Sequence, residues 1–402
     1  MFSSIVLAAK RSLQHQKSDF RLQIFAFKLN ENCLCIGQTS GFYEFITNFS
    51  GYTDQLEPLC SITMLPQFAS IKHLYIIRFE LTLAQIEHIK PILPQLEVLR
   101  VQDCRFESDF YGSFVKYCVN LKWLCLENID LKRPEFLVES VQNHWLHQEY
   151  PLLDHFKLTP RSGNKIIELK RFFEQNPNIR SFSISSFCLY ENWLSLIDTK
   201  ANLDVLFVDF NCWPRIYLDS IRDVLNFLHR RGFYKKLHLN LPNLQNLPTD
   251  DTASLKALEK LHIKRLKQFE NLFLLMKVNE LVVSAISEFT DVKVLAMTFV
   301  DLKRIYLKMA TSDDIIAFIR YSPNLREIHV ETLGHGSHFY GRILDVVYLN
   351  KERKKLEKAQ KVKVFVNKKV VNASKSAVDD HEFSYVNLEK INFNAFHQKF
   401  EF

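Results

Sequence analysis

The chain has 402 residues, 47% hydrophobic and 24% charged, with 52 basic against 45 acidic residues and a formal charge of +7. That content is ample for burial and ordinary for a globular protein, and the basic excess is milder than the clustered charge expected of a nucleic-acid binder. Eight cysteines are too sparse for a disulfide scaffold. Reduced thiols in the cytoplasm or nucleus fit best. No apolar run reaches the roughly 20 residues a membrane span requires.

In chain order, residues 1–70 read as an N-terminal cap or remnant segment before a solenoid over 71–402. The opening MFSSIVLAAKRSLQHQK reads as an amphipathic first helix rather than a transit peptide, and Phe20 to Leu29 as one strand. Cys33-x-Cys35 alone makes neither a metal nor a redox framework. Asn48-Phe-Ser and Asn372-Ala-Ser match the glycosylation sequon by chance in an intracellular chain.

From Ile71 an apolar L-x-x-L-x-L pattern recurs every 20 to 34 residues, in about thirteen degenerate copies. It runs through Ile71-Leu74-Ile76, Leu96-Leu99-Val101, Leu121-Leu124-Leu126, Leu153-Phe156-Leu158, Ile179-Phe182-Ile184 and Leu203-Leu206-Val208. It continues through Tyr234-Leu237-Leu239, Leu258-Leu261-Ile263, Val278-Leu281-Val283, Leu302-Ile305-Leu307 and Leu325-Ile328-Val330, with weaker copies at Ala359-Val362-Val364 and Leu388-Ile391-Phe393. A short fixed period means a stacked solenoid rather than one closed core. Positions one, four and six of each copy point inward, and the residues between alternate outward as a strand requires.

Helical spacing is expected before several strands, at 85–93, 109–117, 166–175, 220–229 and 313–321. Thr82-Leu-Ala-Gln85 reads as a capping box. Pro94, Pro177 and Pro323 each stand two or three residues before a strand, where proline ends a helix and favours extended backbone. The expected class is α/β: a right-handed leucine-rich repeat solenoid, a horseshoe with parallel strands on the concave face and helices on the convex face.

Ser322-Pro-Asn-Leu-Arg-Glu-Ile-His-Val330 closely resembles the junction of leucine-rich repeat proteins of the F-box/LRR type, and the likeness covers about residues 71–400. The family's Asn/Cys position is matched by Cys104 and Asn211. The resemblance implies a non-enzymatic scaffold that recognises substrates for a ubiquitin ligase. Residues 1–60 supply no F-box, so docking to a cullin-ligase adaptor would need that module outside this chain. A free-standing module that binds or inhibits a partner protein is the alternative, and a nucleic-acid-binding solenoid is a third.

Function in such a solenoid is expected at positions three, five and seven. Late strands present Lys236, His238, Lys260, His262, Lys264, Arg304, Tyr306 and Lys308, a basic row suited to an acidic or phosphorylated protein segment. Glu327 and Glu331 would bound it. The loop Gly334-His-Gly-Ser-His-Phe-Tyr-Gly341 adds His335 and His338 as contact candidates. His144, His147 and Glu149 read as a surface helix or insertion rather than a metal site. Lys351–Lys363, with seven basic residues and two glutamates, reads as a solvated outer helix, with a nucleic-acid or lipid contact as the rival. No nucleotide loop, nucleophile elbow or zinc spacing occurs, so no enzyme activity, cofactor or metal is expected.

Overall fold

The computed structural model describes residues 24–30, 33–38, 72–77, 80–81, 86–87, 89–106, 114–129, 144–160, 169–210, 218–242, 255–265, 277–286, 292–334, 343–357, 359–375 and 384–392. The chain forms two compact units, Met1–Leu203 and Asp204–Phe402. Each is an α/β solenoid of the leucine-rich repeat kind.

In the first unit β1 (Ile24–Asn30) and β2 (Cys33–Gln38) form an antiparallel hairpin. This replaces the single strand expected at 20–29. β2 then pairs in parallel with β3 (His73–Ile77), so the segment before residue 70 feeds directly into the repeat ladder. A short β4 (Glu80–Leu81) pairs with β6 (Arg105–Phe106). The main ladder continues through β5 (Val98–Gln102), β7 (Trp123–Ile129), β8 (His155–Pro160) and β9 (Ser181–Ser185), all parallel. Its register aligns Leu74, Leu99, Leu124, Phe156 and Phe182 in one buried row, and Ile76, Val101, Leu126, Leu158 and Ile184 in another. These are the fourth and sixth positions of the repeat.

Those rows face the helices. The Phe156 ring lies 4.4 Å from Phe172 on α1 (Leu169–Gln175), and Phe182 meets Phe173 edge-on at 5.0 Å. α2 (Ser186–Ile197) follows β9 without a loop because Ser185 ends the strand and caps the helix, accepting from the Cys188 N–H at 3.2 Å. Among the described residues the connection before β5 holds α-helical Ile86, Glu87 and Ile89 and then a 3₁₀ turn at Lys90–Gln95, and two others hold 3₁₀ turns at Val115–Tyr117 and His144–His147. At the first of these, Pro91 and Pro94 withhold the donors an α-helix would need. Only the end of the helix expected at 109–117 is described. The capping box at Thr82 and the first helix lie outside the described residues.

In the second unit β10 (Leu203–Asp209) hydrogen-bonds β11 (Tyr234–Leu241). A parallel ladder follows through β12 (Leu258–Ile263), β13 (Glu280–Val283), β14 (Arg304–Ala310), β15 (Glu327–Leu333), β16 (Val362–Val366) and β17 (Val386–Lys390). Alternating with them are α3 (Leu218–Arg230), α4 (Val292–Thr298), α5 (Ser312–Tyr321), α6 (Val346–Lys354) and α7 (Lys368–Lys375). α3 closes on Gly232, whose φ of 77° is the left-handed turn of a C-cap. Its N–H reaches the His229 carbonyl, and Phe233 N–H reaches that of Leu228. α5 opens on a capping box between Thr311 and Asp314.

Three registers differ from the expected ones. β11 pairs Leu239 with Leu261 and His238 with Lys260, two residues from the alignment the spacing implies. The ladder slips between Leu237 and His238, opposite Glu259, two residues after Ala257, whose backbone is left-handed at φ 60°. In β16 the fourth position is Val364 rather than Val362, and in β17 Leu388 is fourth rather than first.

A repeated hydrogen bond ties neighbouring repeats at the junction. Just before the first position, Asn120 donates to the Pro94 carbonyl at 2.8 Å, Asn178 to Pro151 at 3.1 Å and Asn324 to Val300 at 2.9 Å. Two buried asparagines work harder. Asn176 accepts from Tyr150 N–H and donates to the Gln148 and Phe172 carbonyls, and Asn350 accepts from Tyr385 and Val386 N–H. Cys104, at the family's Asn/Cys position, donates its thiol to the Ile76 and Gln102 carbonyls.

Candidate functional site

Among the described residues the face turned away from the helices mixes charged, aromatic and hydroxyl-bearing side chains with apolar ones such as Val98 and Val282, and strand register decides which of them meet. In the first unit the second position of each repeat carries an ion-pair row that the reading of positions three, five and seven missed. Glu97 lies between Lys72, at 2.5 Å, and Lys122, at 2.7 Å, and Asp154 sits 3.7 Å from Arg180. Hydrogen bonds from Lys122 and then Lys72 hold the Glu97 carboxyl down at about 2.

Beside this row, at position three, Trp123 is 47% exposed, and its ring lies 4.9 Å from that of His155. Positions five and seven are enclosed instead. There Glu127 Oε1 gathers the Arg100 guanidinium at 3.1 Å, the Lys157 ammonium at 3.0 Å and the Cys125 thiol at 3.1 Å.

In the second unit register converts the expected basic row into alternating charge. Position three runs His238, Lys260, Glu280, Arg304, Glu327, Lys363. Glu280 receives Lys260 at 3.5 Å and Arg304 at 3.4 Å. Lys363 reaches Glu389 at 3.0 Å. Glu259, one position earlier, takes Lys236 at 3.1 Å and His238 Nε2 at 3.4 Å. Burial lowers His238, so its neutral ring donates Nε2–H. That hydrogen bond, with Lys236, holds Glu259 down at about 2.

At position five Tyr306, His329 and Phe365 stack ring on ring, with centroids 4.5 and 4.2 Å apart. His262 bonds Ser284 Oγ at 3.0 Å, and burial beside Lys260 and Lys264 pushes it down to about 3.

Of the ten residues predicted to meet a partner, Lys236, Lys264, Arg304 and Lys308 are exposed and His238 is half-buried. Lys260, His262 and Tyr306 are buried. His335 and His338, with most of their loop, lie outside the described residues. The slip at β11 places Lys236 beyond Lys260 rather than beside it, and Lys260 beside His238.

The basic run at 351–363 also differs from its reading as a solvated helix. Arg353 is 0% exposed. Its guanidinium donates to the carbonyls of Ile319, Ser322, Pro323, Leu325 and Gln360 at 2.7 to 3.1 Å. Glu352 beside it joins Arg320 to Lys355. This part of the run faces the fold and stitches α5, α6 and β16 together.

The described thiols Cys104, Cys118, Cys125 and Cys188 are buried and carry no disulfide. Burial pushes Cys188 up to about 12 and raises Cys118 and Cys125 further, which makes them poor nucleophiles at neutral pH. Among the described residues no group of three His, Cys, Asp or Glu side chains is placed to hold a metal ion, and no helix is long and apolar enough to cross a membrane.

No protein-family profile matches the chain, and no curated protein matches it. Among solved structures, the chain is similar to one from the Drosophila Toll–Spatzle complex, described as a molecular hub in development and innate immunity. The identity is 11% and the TM-score 0.26, over 92% of this chain and 55% of that one. The chain thus spans about half the length of the structure it matches.

Proposed function

We propose that this protein is a non-enzymatic interaction scaffold whose outward strand face receives a protein partner. The observation that carries the reading is Trp123. A tryptophan 47% exposed on a β-ladder, steadied by the His155 ring and flanked by the Lys72–Glu97–Lys122 row, is an aromatic anchor already fixed in place. Large aromatic side chains dominate the energetics of protein interfaces, and pre-ordering them lowers the entropy lost on binding.

Recognition of substrates for a ubiquitin ligase is the more specific form of this reading, and it is supported by the resemblance of the Ser322–Val330 junction. The general and specific forms separate in one experiment. The full chain is captured from its own cells and the bound proteins are identified, beside a Trp123→Ala variant. A partner retained by the native chain and weakened about tenfold or more by the variant supports the scaffold. Equal retention by both overturns the role of Trp123. Recovery of a cullin and its adaptor supports the ligase form, and a partner recovered without them removes it.

A further inference from the structure

We infer that α2 carries a second docking surface, on its side turned away from the core, for an amphipathic helix of a partner protein edged with lysine or arginine. This goes beyond the strand-face reading, because the surface belongs to the helix layer. The inner side of α2 buries Cys188, Leu189 and Leu196. A second apolar stripe runs along its other side through Phe187, Tyr190, Leu194 and Ile197, spaced three, four and three residues apart. That is the a/d spacing of a seam between paired helices. Leu194 is 65% exposed, more than any other large apolar side chain among the described residues, and Tyr190 is 40% exposed. Phe187 and Ile197 are half-buried and continue the stripe at either end.

The outer side of a helix on a globular protein is ordinarily polar. α1 and α7 follow that rule, exposing Arg171 and Glu174 on the one and Lys368 and Lys369 on the other. α6 exposes a single apolar residue, Val347, with Lys351 and Lys354 on the same helix. α4 exposes Val294 and Met297, but its seven residues make only two turns and hold no second pair. α2, with 12 residues, offers three turns of seam, about 18 Å long.

Charge selects the occupant. Two polar residues of α2 are spent on its own backbone, Asn192 on the Cys188 carbonyl and Ser195 on the Asn192 carbonyl. Glu191 and Asp198 are exposed and stand seven residues apart, each directly after a d position, so both line one edge of the stripe. Neither forms an ion pair among the described residues, with Arg171 of α1 and Lys200 beyond the helix included. Charges at such edges set the partner and orientation of paired helices. A second copy of this chain fits badly. Antiparallel pairing would set Glu191 against Asp198, and parallel pairing would set the two acids against Ser186 and Trp193, which bring no cation. A partner helix with Lys or Arg at its edge positions meets both acids while its apolar side covers Leu194 and Tyr190.

The probes are two fluorescein-labelled peptides of about 21 residues with leucine at a and d, one carrying lysine at e and g and the other glutamate. Like charges keep each peptide from pairing with itself. Each is titrated with the full chain and read by fluorescence anisotropy. The chain as a whole is basic, at +7, so a general charge effect would favour the glutamate peptide. The expected result is binding of the lysine peptide about tenfold tighter than the glutamate one, and about tenfold weaker in Leu194→Ser. A variant combining Glu191→Lys and Asp198→Lys should reverse the preference, a gain that a misfolded chain would not show. A control combining Val294→Ser and Met297→Ser should stay within about twofold. No binding of the lysine peptide, full binding by Leu194→Ser, no reversal, or an equal loss in the control overturns the site. So does a dimer of the native chain in sedimentation that Leu194→Ser abolishes, which would make a second copy the occupant. If the lysine peptide fails while a partner is still captured in a Trp123-dependent manner, this surface falls and the strand-face reading stands.

Discussion

The Lys157 ammonium lies 3.0 Å from Glu127 Oε1, and both side chains are largely enclosed although they sit on the face turned away from the helices. Burial alone would raise the Glu127 carboxyl, but Lys157 and Arg100 more than offset it and leave it below its ordinary value. Burial alone would lower Lys157, and Glu127 outweighs that, so the lysine ends above its own ordinary value. Removing one member of such a group strands the others in a poorly solvated place. Lys157→Met should cost about 3 kcal/mol, and Glu127→Gln more, because Lys157 and Arg100 would then face each other without the carboxylate between them. Urea unfolding of the two variants tests the order. A Glu127→Gln variant as stable as the native chain would show that the three charges do not act together.

His262 gives the second unit an acid-sensitive point. Its neighbours are Lys260 on its own strand and Lys264 just after it, Glu280 on β13 and Ser284 just after it, and Asn240 on β11. Burial first, then the two lysines, take it from the ordinary 6.5 to about 3. The unfolded chain therefore takes up a proton below about pH 6.5 that the folded chain refuses, and stability falls as pH drops toward about 3. His238, also lowered by burial, adds to the same fall. Glu97 and Glu259, both near 2, add theirs only below the ordinary carboxylate value of 4.5. His262→Gln can keep a donor toward Ser284 and should change stability at pH 7 by no more than about 1 kcal/mol. It should flatten the decline between about pH 6 and pH 4, measured by urea unfolding across that range. An unchanged slope would assign the decline to other groups.

Asn120, Asn178 and Asn324 use one hydrogen bond to tie each strand start to the repeat before it. Each accepting carbonyl ends or follows a helical turn and lacks a helical partner of its own. Alanine at any one of the three should cost about 1 kcal/mol. Because the three share no partner, Asn178→Ala and Asn324→Ala should add within about 0.5 kcal/mol in the double variant. A double variant no weaker than either single one would mean that solvent satisfies these carbonyls equally well.

The ladder was readable in the sequence where the apolar period is unambiguous. Leu96-Leu99-Val101 and Leu121-Leu124-Leu126 fall on their rows, and a charged residue, Glu97 or Lys122, follows the first position of each. β11 was not, because Tyr234, Leu237, Leu239 and Leu241 satisfy the period in two frames and only the slip opposite Glu259 selects one. Val362, Val364 and Val366 present the same ambiguity in β16, where all three are buried. A frame error of two residues keeps the inward face correct and misassigns every charge partner. Hence the basic residues were found, with Glu280 as the one glutamate among them, while Glu259, which takes Lys236 and His238, was not credited. Lys264 and Lys308 were legible as cations.

Arg353 is the clearest case of a residue whose role its sequence context conceals. Within Lys351–Lys363 it looks like one more solvated charge, yet five main-chain carbonyls surround its guanidinium. Burial draws it down to about 10, still charged at neutral pH. The planar fork of an arginine supplies five directed N–H donors, and a lysine ammonium supplies three from one point. Arg353→Lys should therefore leave carbonyls of the α5–β15 turn unpaired and cost about 2–4 kcal/mol, whereas Lys351→Ala and Lys354→Ala, on exposed positions of the same helix, should stay within about 0.5 kcal/mol. Hydrogen exchange gives a local readout. In Arg353→Lys, protection should fall first over 319–325, which provides four of the five carbonyls. Native-like protection there would show that a single ammonium suffices.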